Sequence, residues 1–578
     1  MFPPLNKQSF PYTPVFRTKA DETVKVPAWL NDPLLYHNRG DSTFAGESTT
    51  YGDFSGLDDL FTEQPKVRDG MIDVYKQWVD FGIDGFRIDT VKHVNMGFWQ
   101  RFSPAMLAEA KKIGNDDFFM FGEVYDARPE AMSPYTTKGR LPATLDFGFQ
   151  DAAKQFAQGK PTTVLRDLFA GDDYYTDTDS NAYEPADVHR QPRHGPAAGD
   201  AARRRGAGGR ACCRATGSPT SLMYLVRGQP VVYYGDEQGM VGESGGDQNA
   251  RQDMFPTKTK VYSDQADLLG RTGSIDRFDP SSSLYRDIAR MARLRQANPA
   301  LADGTQVHRY ASSSAGVFAV SRIDRDRDVE YLVAANNSTS AKTVDVATYS
   351  RKGRFTPLYG TSTTLRTDRE NRTSITVPPL SVAVWKGAKR IDRPSSATVA
   401  YPASPQPGAT LSGRQEVGVS VPANTPVEVS FGWREAGQAD WHLIGTDDAA
   451  PYRVFHDVSD LPKGEPDRVP RRRHERRRQA VRHLDVRRRG RPGGRRRRRR
   501  RRGRPGDAAV GRERARRPQQ RDGLRRRLGP GLRPGPGSPS TPRTASGRAR
   551  TSRPPVRTTP TRRPSPRRGT RTTATRPC

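Results

Sequence analysis

Residues 82–93, with the sequence GIDGFRIDTVKH, form the stretch that decides the fold. It begins as a short run of apolar residues and glycines, which is typical of a buried parallel strand. Four polar side chains stand at the end of that run: Arg87, Asp89, Lys92 and His93. In barrel folds, the residues that carry chemistry lie at this end of the strands. For this stretch alone, a strand whose polar residues bond only to one another is the alternative interpretation.

A second apolar run, FFMFGEV at residues 118–124, ends in a single acid, Glu123. Residues 94–117 between the two runs predict a helix, because four apolar side chains recur at every fourth position. They are Phe98, Phe102, Met106 and Ala110. Strand, helix and strand make a βαβ unit whose parallel strands end at the same rim. The sequence therefore predicts two carboxylates, those of Asp89 and Glu123, facing one cleft.

Two carboxylates at one cleft are the groups that glycoside hydrolysis requires. One attacks the anomeric carbon, and the other donates a proton to the leaving oxygen. The strings GFRIDTVKH and FGEV resemble the strand-four and strand-five motifs of the alpha-amylase family of glycoside hydrolases, family 13. By that resemblance Asp89 is the nucleophile, Glu123 the general acid/base and Arg87 the cation that keeps Asp89 ionised. Lys92 and His93 are then substrate-binding residues on the aglycone side of the cleft.

The resemblance also implies the fold class, an α/β barrel of the (β/α)8 TIM type. If residues 85–90 are strand four, strands one to three and the family's first motif have no counterpart in this sequence. Residues 1–70, rich in turn residues, resemble a remnant of the family's domain B. Residues 71–279 are then a partial catalytic barrel, which starts with a helix at 67–81. Five strands would leave two open, apolar edges.

The last strands of the partial barrel follow the same resemblance. Strand six is predicted at residues 145–149. Strand eight, with the YYGDE turn that follows it in the family, is predicted at residues 231–237. The helix between strands six and seven is predicted within residues 161–169.

Residues 186–219 interrupt this pattern. They are rich in Arg, Ala, Gly and Pro and contain no Leu, Ile, Phe, Tyr or Trp. In the family, strand seven lies here with an NHD motif whose aspartate is the third catalytic carboxylate, and this sequence lacks the motif. One set of codons for residues 187–196, read one nucleotide later, gives TFTGNHDMG, so we interpret 186–219 as a frameshifted segment. Cys212 and Cys213 fall inside it, and we assign them no disulfide or metal role.

Two all-β sandwich domains are predicted after the barrel. Residues 280–388 resemble the C-terminal β domain of amylases, with alternating strands behind a helix. The residues expected on the buried face of that helix are Leu284, Ile288, Met291, Ala292 and Leu294. Residues 395–465 predict an immunoglobulin- or fibronectin-like module. Trp433 and Trp441 are expected in its core, and a carbohydrate contact on Trp441 is the alternative.

The tail, residues 466–578, contains 41 arginines and six acidic residues. The net charge of the whole 578-residue chain is +32, so its basic character lies in this tail and in residues 186–219. The tail contains no Lys, Ile, Met, Phe, Tyr or Trp, and we expect it to be disordered because it buries too little apolar area to offset chain entropy. Out-of-frame reading of GC-rich DNA is one interpretation of it, and an arm that binds nucleic acid is the other.

The function expected is hydrolysis of starch or maltodextrin by a retaining mechanism. Activity of this chain is expected to be low, because the third carboxylate, the first motif and three strands are lacking. A basic nucleic-acid-binding protein and a non-catalytic glucan-binding remnant are the alternatives. The resemblance implies calcium, whose ligands the sequence does not identify, and it implies secretion of the intact parent protein. The start of the chain shows no signal peptide, and no apolar run is long enough to span a membrane.

Overall fold

The computed structural model describes residues 12–183, 186–188, 220–242, 251–394, 400–435, 438–459 and 461, with only the backbone described at 186–188. The predictions made for the tail and for residues 189–219, including Cys212 and Cys213, lie outside the described residues. Within the described part of the chain, no helix is both long enough and apolar enough to cross a membrane.

Five parallel strands form the first sheet. They are β1 (Gly85–Ile88), β2 (Phe119–Gly122), β3 (Ala143–Asp146), β4 (Ala186–Val188) and β5 (Gln229–Val231). Each strand pairs in parallel with the next one in the chain. A strand therefore exists inside the segment that we interpret as frameshifted. Strand pairing uses backbone groups, so three residues without a typical strand composition still fill the position between β3 and β5.

The longer helices of the described residues include α1 (Pro65–Phe81), α2 (Met96–Lys112), α3 (Phe147–Ala157), α4 (Thr163–Phe169) and α5 (Ser283–Ala297). Short helices are Ser48–Tyr51, Pro129–Met132, Pro134–Thr137, Lys260–Ser263 and Ala300–Asp303. Single 3₁₀ turns are Lys19–Thr23, Ala28–Asn31, Pro33–Leu35, Val91–His93, Asp172–Tyr175 and Asp236–Gln238.

Helix α2 confirms the prediction made from its four-residue spacing. The Asn95 side chain accepts a hydrogen bond from the Phe98 backbone N–H at 2.9 Å and so caps the helix. The four spaced residues, Phe98, Phe102, Met106 and Ala110, are buried. They pack with residues of α1 and β2, such as Val79 and Met120, in one core. This core supports the strands β1 and β2 from behind.

Strand six does not lie where the sequence predicts it. The predicted range is 145–149, whereas β3 ends at Asp146 and Phe147 begins α3. The Asp146 carboxylate accepts a hydrogen bond from the Phe149 backbone N–H at 2.7 Å. A carboxylate that caps a helix ends the preceding strand at its own position. Strand eight likewise lies earlier than predicted, because β5 ends at Val231. The predicted YYGDE turn is present, with Gly235 at a φ of 88° before the 3₁₀ turn Asp236–Gln238.

Helix α5 differs from its prediction at one side chain. Leu284 and Met291 are buried, but Ala292 is exposed and Arg295 is buried. Four residues separate Met291 from Arg295, which places both on one helix face. Arg295 donates hydrogen bonds to backbone carbonyls, including that of Gly228 at 2.6 Å. The buried face of the helix therefore includes an arginine that a search for apolar periodicity does not find.

The second β region contains β6 (Thr305–Ala311), β7 (Val317–Ile323), β8 (Val329–Asn336), β9 (Lys342–Ala347), β10 (Arg354–Tyr359), β11 (Leu365–Arg366), β12 (Arg372–Val377) and β13 (Ser381–Arg390). Six of these strands form an antiparallel sheet in the order β11-β10-β13-β8-β7-β6, and β9 pairs with β12. Trp385 and Phe355 are buried between them. The strands predicted for this region are confirmed, but β7 and β8 are buried along almost their whole length and do not alternate.

The third β region contains β14 (Tyr401–Ser404), β15 (Arg414–Ser420), β16 (Val429–Trp433), β17 (His442–Asp447) and β18 (Arg453–Asp457). Strands β14, β15 and β18 form one sheet, and β16 pairs with β17. Trp433 packs against the core of this region. Trp441 is 45% exposed, so the prediction of a core position for it is wrong. It precedes β17, and the Arg434 guanidinium lies over its ring at 4.8 Å from the centroid.

Candidate functional site

The register between β1 and β2 brings the two predicted acids to one level. Ile88 pairs with Gly122, and Asp89 and Glu123 are the next residue of each strand. The Glu123 backbone N–H donates to the Ile88 carbonyl at 2.7 Å, which extends the ladder by one hydrogen bond. Since the strands are parallel, both acids leave the sheet at the same edge.

Arg87 contacts both acids. Its Nη1 donates to Asp89 Oδ2 at 2.5 Å, and its Nη2 donates to Glu123 Oε2 at 3.0 Å. The Asp89 side chain is 51% exposed, whereas that of Glu123 is 5% exposed. A guanidinium favours the charged form of each carboxylate that it contacts. The arrangement thus has one accessible carboxylate and one buried carboxylate, joined by a single cation.

Lys92 is positioned by a sharp turn after β1. Thr90 has a φ of 54°, a left-handed conformation that is uncommon outside glycine, and the 3₁₀ turn Val91–His93 follows it. The Lys92 ammonium donates to the Tyr125 carbonyl at 3.0 Å. Lys92 therefore binds the backbone two residues beyond Glu123 and ties the ends of the two strands together.

His93 contacts the segment before α1. Its Nδ1 lies 2.8 Å from the Thr49 carbonyl oxygen, and because a carbonyl only accepts, Nδ1 carries the proton. The rings of Phe44 and Phe54 make edge contacts with the imidazole, at centroid distances of 5.7 and 5.3 Å. The structure thus places Arg87, Asp89 and Glu123 in direct contact. Lys92 and His93 lie around them in contacts with other backbone groups.

A buried histidine holds the segment before α1 together. The His37 imidazole lies 2.7 Å from the Asp59 carboxylate through Nδ1 and 3.1 Å from the Glu63 carboxylate through Nε2. Burial lowers the pKa of His37, but the hydrogen bonds to the two acids outweigh burial, so the pKa is raised. The charged imidazolium, which donates at both nitrogens, suits two acceptors. The residues that contact His93 are therefore part of a segment with its own internal ion pairs.

A buried arginine network lies behind the sheet, and sequence reasoning missed it. Arg227 is 1% exposed; its Nη1 donates to Asp146 at 2.6 Å and its Nη2 to Asp172 at 2.7 Å. Burial raises the pKa of Asp172 to about 6, although the Arg227 charge acts against that rise. The sequence signal was an arginine directly after the apolar run 222–226. The network connects the end of β3 to the segment that leads into β5.

Calcium, which the resemblance implies, finds no convergent ligand set in the described part of the chain. No group of three or more His, Cys, Asp or Glu side chains there is arranged to hold a metal ion. Carboxylate oxygens are the ligands that calcium prefers. The described residues thus do not fit a carboxylate-rich calcium site, and no chemical step is assigned to the ion.

Comparisons with known proteins agree with this geometry. A protein-family model described as the alpha amylase catalytic domain matches residues 7–304. An alpha-amylase of Streptomyces lividans is 47% identical over 479 residues, which are 80% of this chain and 50% of that protein. A cyclomaltodextrin glucanotransferase of Bacillus sp. (strain 1011) is 26% identical over 390 residues, 65% of this chain and 48% of that protein. The chain spans about half the length of these two curated relatives.

Solved structures share the fold. An Anoxybacillus alpha-amylase is similar with a TM-score of 0.51 and 21% identity, covering 63% of this chain and 73% of that one. An alpha-amylase of Geobacillus thermoleovorans, solved in complex with acarbose, has a TM-score of 0.50 and 22% identity, covering 62% and 74%. The family match extends over half of the chain and contains both strands that carry the paired carboxylates. The chain therefore belongs to the alpha-amylase family of glycoside hydrolases.

Proposed function

We propose that this chain carries an active site for hydrolysis of α-glucans such as starch and maltodextrin, with retention of anomeric configuration. The observation that carries the proposal is the contact of Asp89 and Glu123 with the two terminal nitrogens of the same Arg87 guanidinium. A retaining mechanism needs two carboxyl groups about 5 Å apart. Two carboxylates that contact one guanidinium lie close together. Such closeness fits a retaining pair better than an inverting pair, whose carboxyl groups lie farther apart.

In the proposed mechanism Asp89 is the nucleophile, because its carboxylate is exposed and contacts Arg87. Its carboxylate attacks the anomeric carbon while Glu123 gives its proton to the departing glycosidic oxygen, so the C–O bond breaks as the ester bond forms. Glu123, now ionised, then takes a proton from water, and the hydroxide oxygen attacks the same carbon and releases Asp89. Lys92 and His93 contact the leaving sugar.

We further propose that the reaction in this chain is slow. Glu123 has to be protonated before the first step; burial of its side chain favours the neutral form, and its contact with Arg87 favours the charged form. The family's NHD motif, which would bring a third carboxylate, is lacking in the sequence. A nearby negative charge favours protonation of a carboxyl group, so the missing carboxylate would have opposed Arg87. We therefore attribute the low activity to the missing third carboxylate.

The domain division that we propose follows the sheets. Residues 1–70 resemble domain B and residues 71–279 form the barrel region. Residues 280–388 and 395–465 are the two β domains, and residues 466–578 are a disordered tail. The sheets of the described residues follow these ranges, except that β13 continues two residues beyond 388, to Arg390, which supports the division. Secretion is part of the same proposal.

The release of reducing ends from soluble starch by the full chain tests the proposal. We expect slow hydrolysis, the α-anomer as the first product in an NMR time course, and loss of the remaining activity in Asp89→Asn and Glu123→Gln. The rate should fall about 10²- to 10⁴-fold in Glu123→Gln, the usual worth of a general acid. Asp84→Asn is the matched control, because Asp84 is exposed at the opposite end of β1. The β-anomer as first product, or a rate that neither variant changes, would refute the assignment.

Two other results would correct parts of the proposal. A normal amylase rate that Asp89→Asn abolishes would show that the site works without the missing carboxylate. Starch binding without any hydrolysis would favour the non-catalytic glucan-binding alternative. Neither the described residues nor the similar proteins favour a nucleic-acid-binding function, and we do not propose one.

A further inference from the structure

The indole of Trp99 connects helix α2 to the turn that follows β1. Trp99 is 3% exposed, and its Nε1–H donates a hydrogen bond to the Val91 carbonyl at 3.1 Å. Val91 is the first residue of the 3₁₀ turn that carries Lys92 and His93. An indole has one N–H donor and no acceptor, and a buried indole usually finds one partner for it. In this chain the partner is the turn with the two substrate-binding candidates.

Neighbouring rings fix the orientation of this indole. The Phe98 ring lies 5.1 Å from it between centroids, at an angle of 87°, and the Phe102 ring lies 5.8 Å from it at 90°. Such edge-to-face contacts are favourable and depend on ring orientation. Both phenylalanines are buried in the core that α2 shares with α1 and β2. The core therefore sets the direction of the Trp99 N–H, and the turn receives it.

The turn needs support from outside, because its backbone begins at a strained residue. Thr90 has a left-handed conformation with a φ of 54°. Strain of this kind persists only where surrounding contacts impose it. The Val91 carbonyl accepts two hydrogen bonds, one from Trp99 at 3.1 Å and one from the Val94 backbone N–H at 3.3 Å. The shorter bond comes from α2, so the helix holds the turn at its first residue.

The same turn residue packs against the strand that carries Glu123. Val91 is fully buried, and a Cβ placed on Gly122 would lie 2.7 Å from Val91 Cγ2. The two residues are therefore in close contact, and Gly122 directly precedes Glu123 in β2. Because packed interiors transmit displacements, a shift of Val91 would reach Glu123 as well as Lys92 and His93.

We propose that Trp99 is a positioning residue for the leaving-group side of the cleft. Through Val91 it holds the turn with the residues that contact the leaving sugar and the strand end with the general acid. Asp89 lies before the turn and accepts a hydrogen bond from Arg87, so attack on the anomeric carbon depends less on Trp99. The inference rests on the proposed function, because it uses the roles given there to the groups on this side.

Two substrates of the full chain separate positioning from stability. Starch has a leaving sugar that must be protonated, whereas α-maltosyl fluoride has no leaving sugar and releases fluoride without protonation. Trp99→Phe keeps an aromatic ring but removes the donor. We expect its rate on starch, divided by its first-turnover rate of fluoride release, to fall about 10- to 100-fold, the usual effect of a misplaced catalytic group.

Two variants control for other effects of the substitution. Phe102→Leu removes packing from the same core, in which Phe102 is 3% exposed. It should lower the folded fraction for both substrates alike and leave the ratio of the two rates unchanged. Trp78→Phe makes the same exchange at a position of α1 that is 52% exposed, and both rates should stay as in the unsubstituted chain.

Hydrogen exchange tests the contact without reference to activity. The amides of His93 and Val94 donate to carbonyls within the turn. In Trp99→Phe they should exchange about threefold to tenfold faster, as for the loss of one hydrogen bond, and in Phe102→Leu they should keep their rate. An unchanged ratio of rates, or unchanged exchange, in Trp99→Phe overturns the inference. Faster exchange in a chain that uses neither substrate would instead refute the proposed function alone.

Discussion

Replacing Arg227 with methionine should destabilise the chain strongly. The guanidinium is 1% exposed and contacts the carboxylates of Asp146, whose side chain is 2% exposed, and of Asp172. It also lies over the Phe169 ring at 4.8 Å from the centroid. Methionine keeps the apolar contact with the ring but leaves two largely buried carboxylates without their cation. Removing one partner of a buried ion pair costs about 3–5 kcal/mol, and we expect the free energy of unfolding to fall by that amount.

Urea unfolding followed by tryptophan fluorescence measures this loss. Arg293→Met, an exposed position of α5, is the matched control and should change stability by less than about 0.5 kcal/mol. Without the guanidinium, Asp172 takes up a proton more readily, so the loss should be smaller at about pH 5 than at about pH 8. Adding Asp172→Asn to the variant should recover part of the stability. An equal loss at both pH values, or no loss, would refute the view that unpaired buried charge is the cause.

Three further outcomes follow from the structure. Burial raises the pKa of Asp173 to about 7 despite its hydrogen bond from Arg453. Because the pKa is higher in the folded chain than in the unfolded chain, protonation of Asp173 stabilises the fold at low pH. This contribution to stability is lost as pH rises from about 4 to 7. Asp173→Asn should remove that dependence in guanidinium unfolding curves. His37 stabilises the fold below its unfolded pKa of 6.5, and this stability is lost as pH rises above the raised folded pKa. His37→Gln should therefore lower the melting temperature more at about pH 6 than at about pH 9. An equal effect of the substitution at both pH values would contradict this. Gly85→Ala should lower the free energy of unfolding in urea by about 3 kcal/mol, because the added Cβ would lie 2.1 Å from the Phe119 carbonyl oxygen. A decrease below about 1 kcal/mol would show that β1 and β2 move apart easily.

The sequence predicted those features that depend on local patterns. The apolar runs around Asp89 and Glu123 predicted two strands, and the four-residue spacing of Phe98 and its partners predicted the helix between them. Parallel strands joined by a helix end at one edge, so the proximity of the two acids followed without knowledge of the remaining fold. The hydrogen bond from Arg87 to Glu123 was not predicted, because the family resemblance paired Arg87 with Asp89 alone.

The features that the sequence did not predict depend on tertiary contacts. Asp146 ends β3 because its carboxylate caps α3. The pattern of apolar residues in this segment does not predict where the strand ends and the helix begins. Arg295 is buried because backbone carbonyls from other parts of the chain surround its guanidinium. Trp441 stands before β17 and is exposed, whereas its large aromatic side chain suggested a core position. In each case polar groups or neighbours distant in sequence decide the outcome.

The most direct test of the central claim is covalent labelling of the full chain with α-maltosyl fluoride, followed by peptide mass spectrometry. Fluoride leaves without protonation, so the reagent tests the nucleophile apart from the state of Glu123: the Asp89 carboxylate attacks the anomeric carbon and fluoride departs with the bonding electrons. We predict a maltosyl ester on Asp89 that persists in Glu123→Gln, where water is not activated, and is absent in Asp89→Asn. A label on another residue, or no label on Asp89 in Glu123→Gln, would contradict the account.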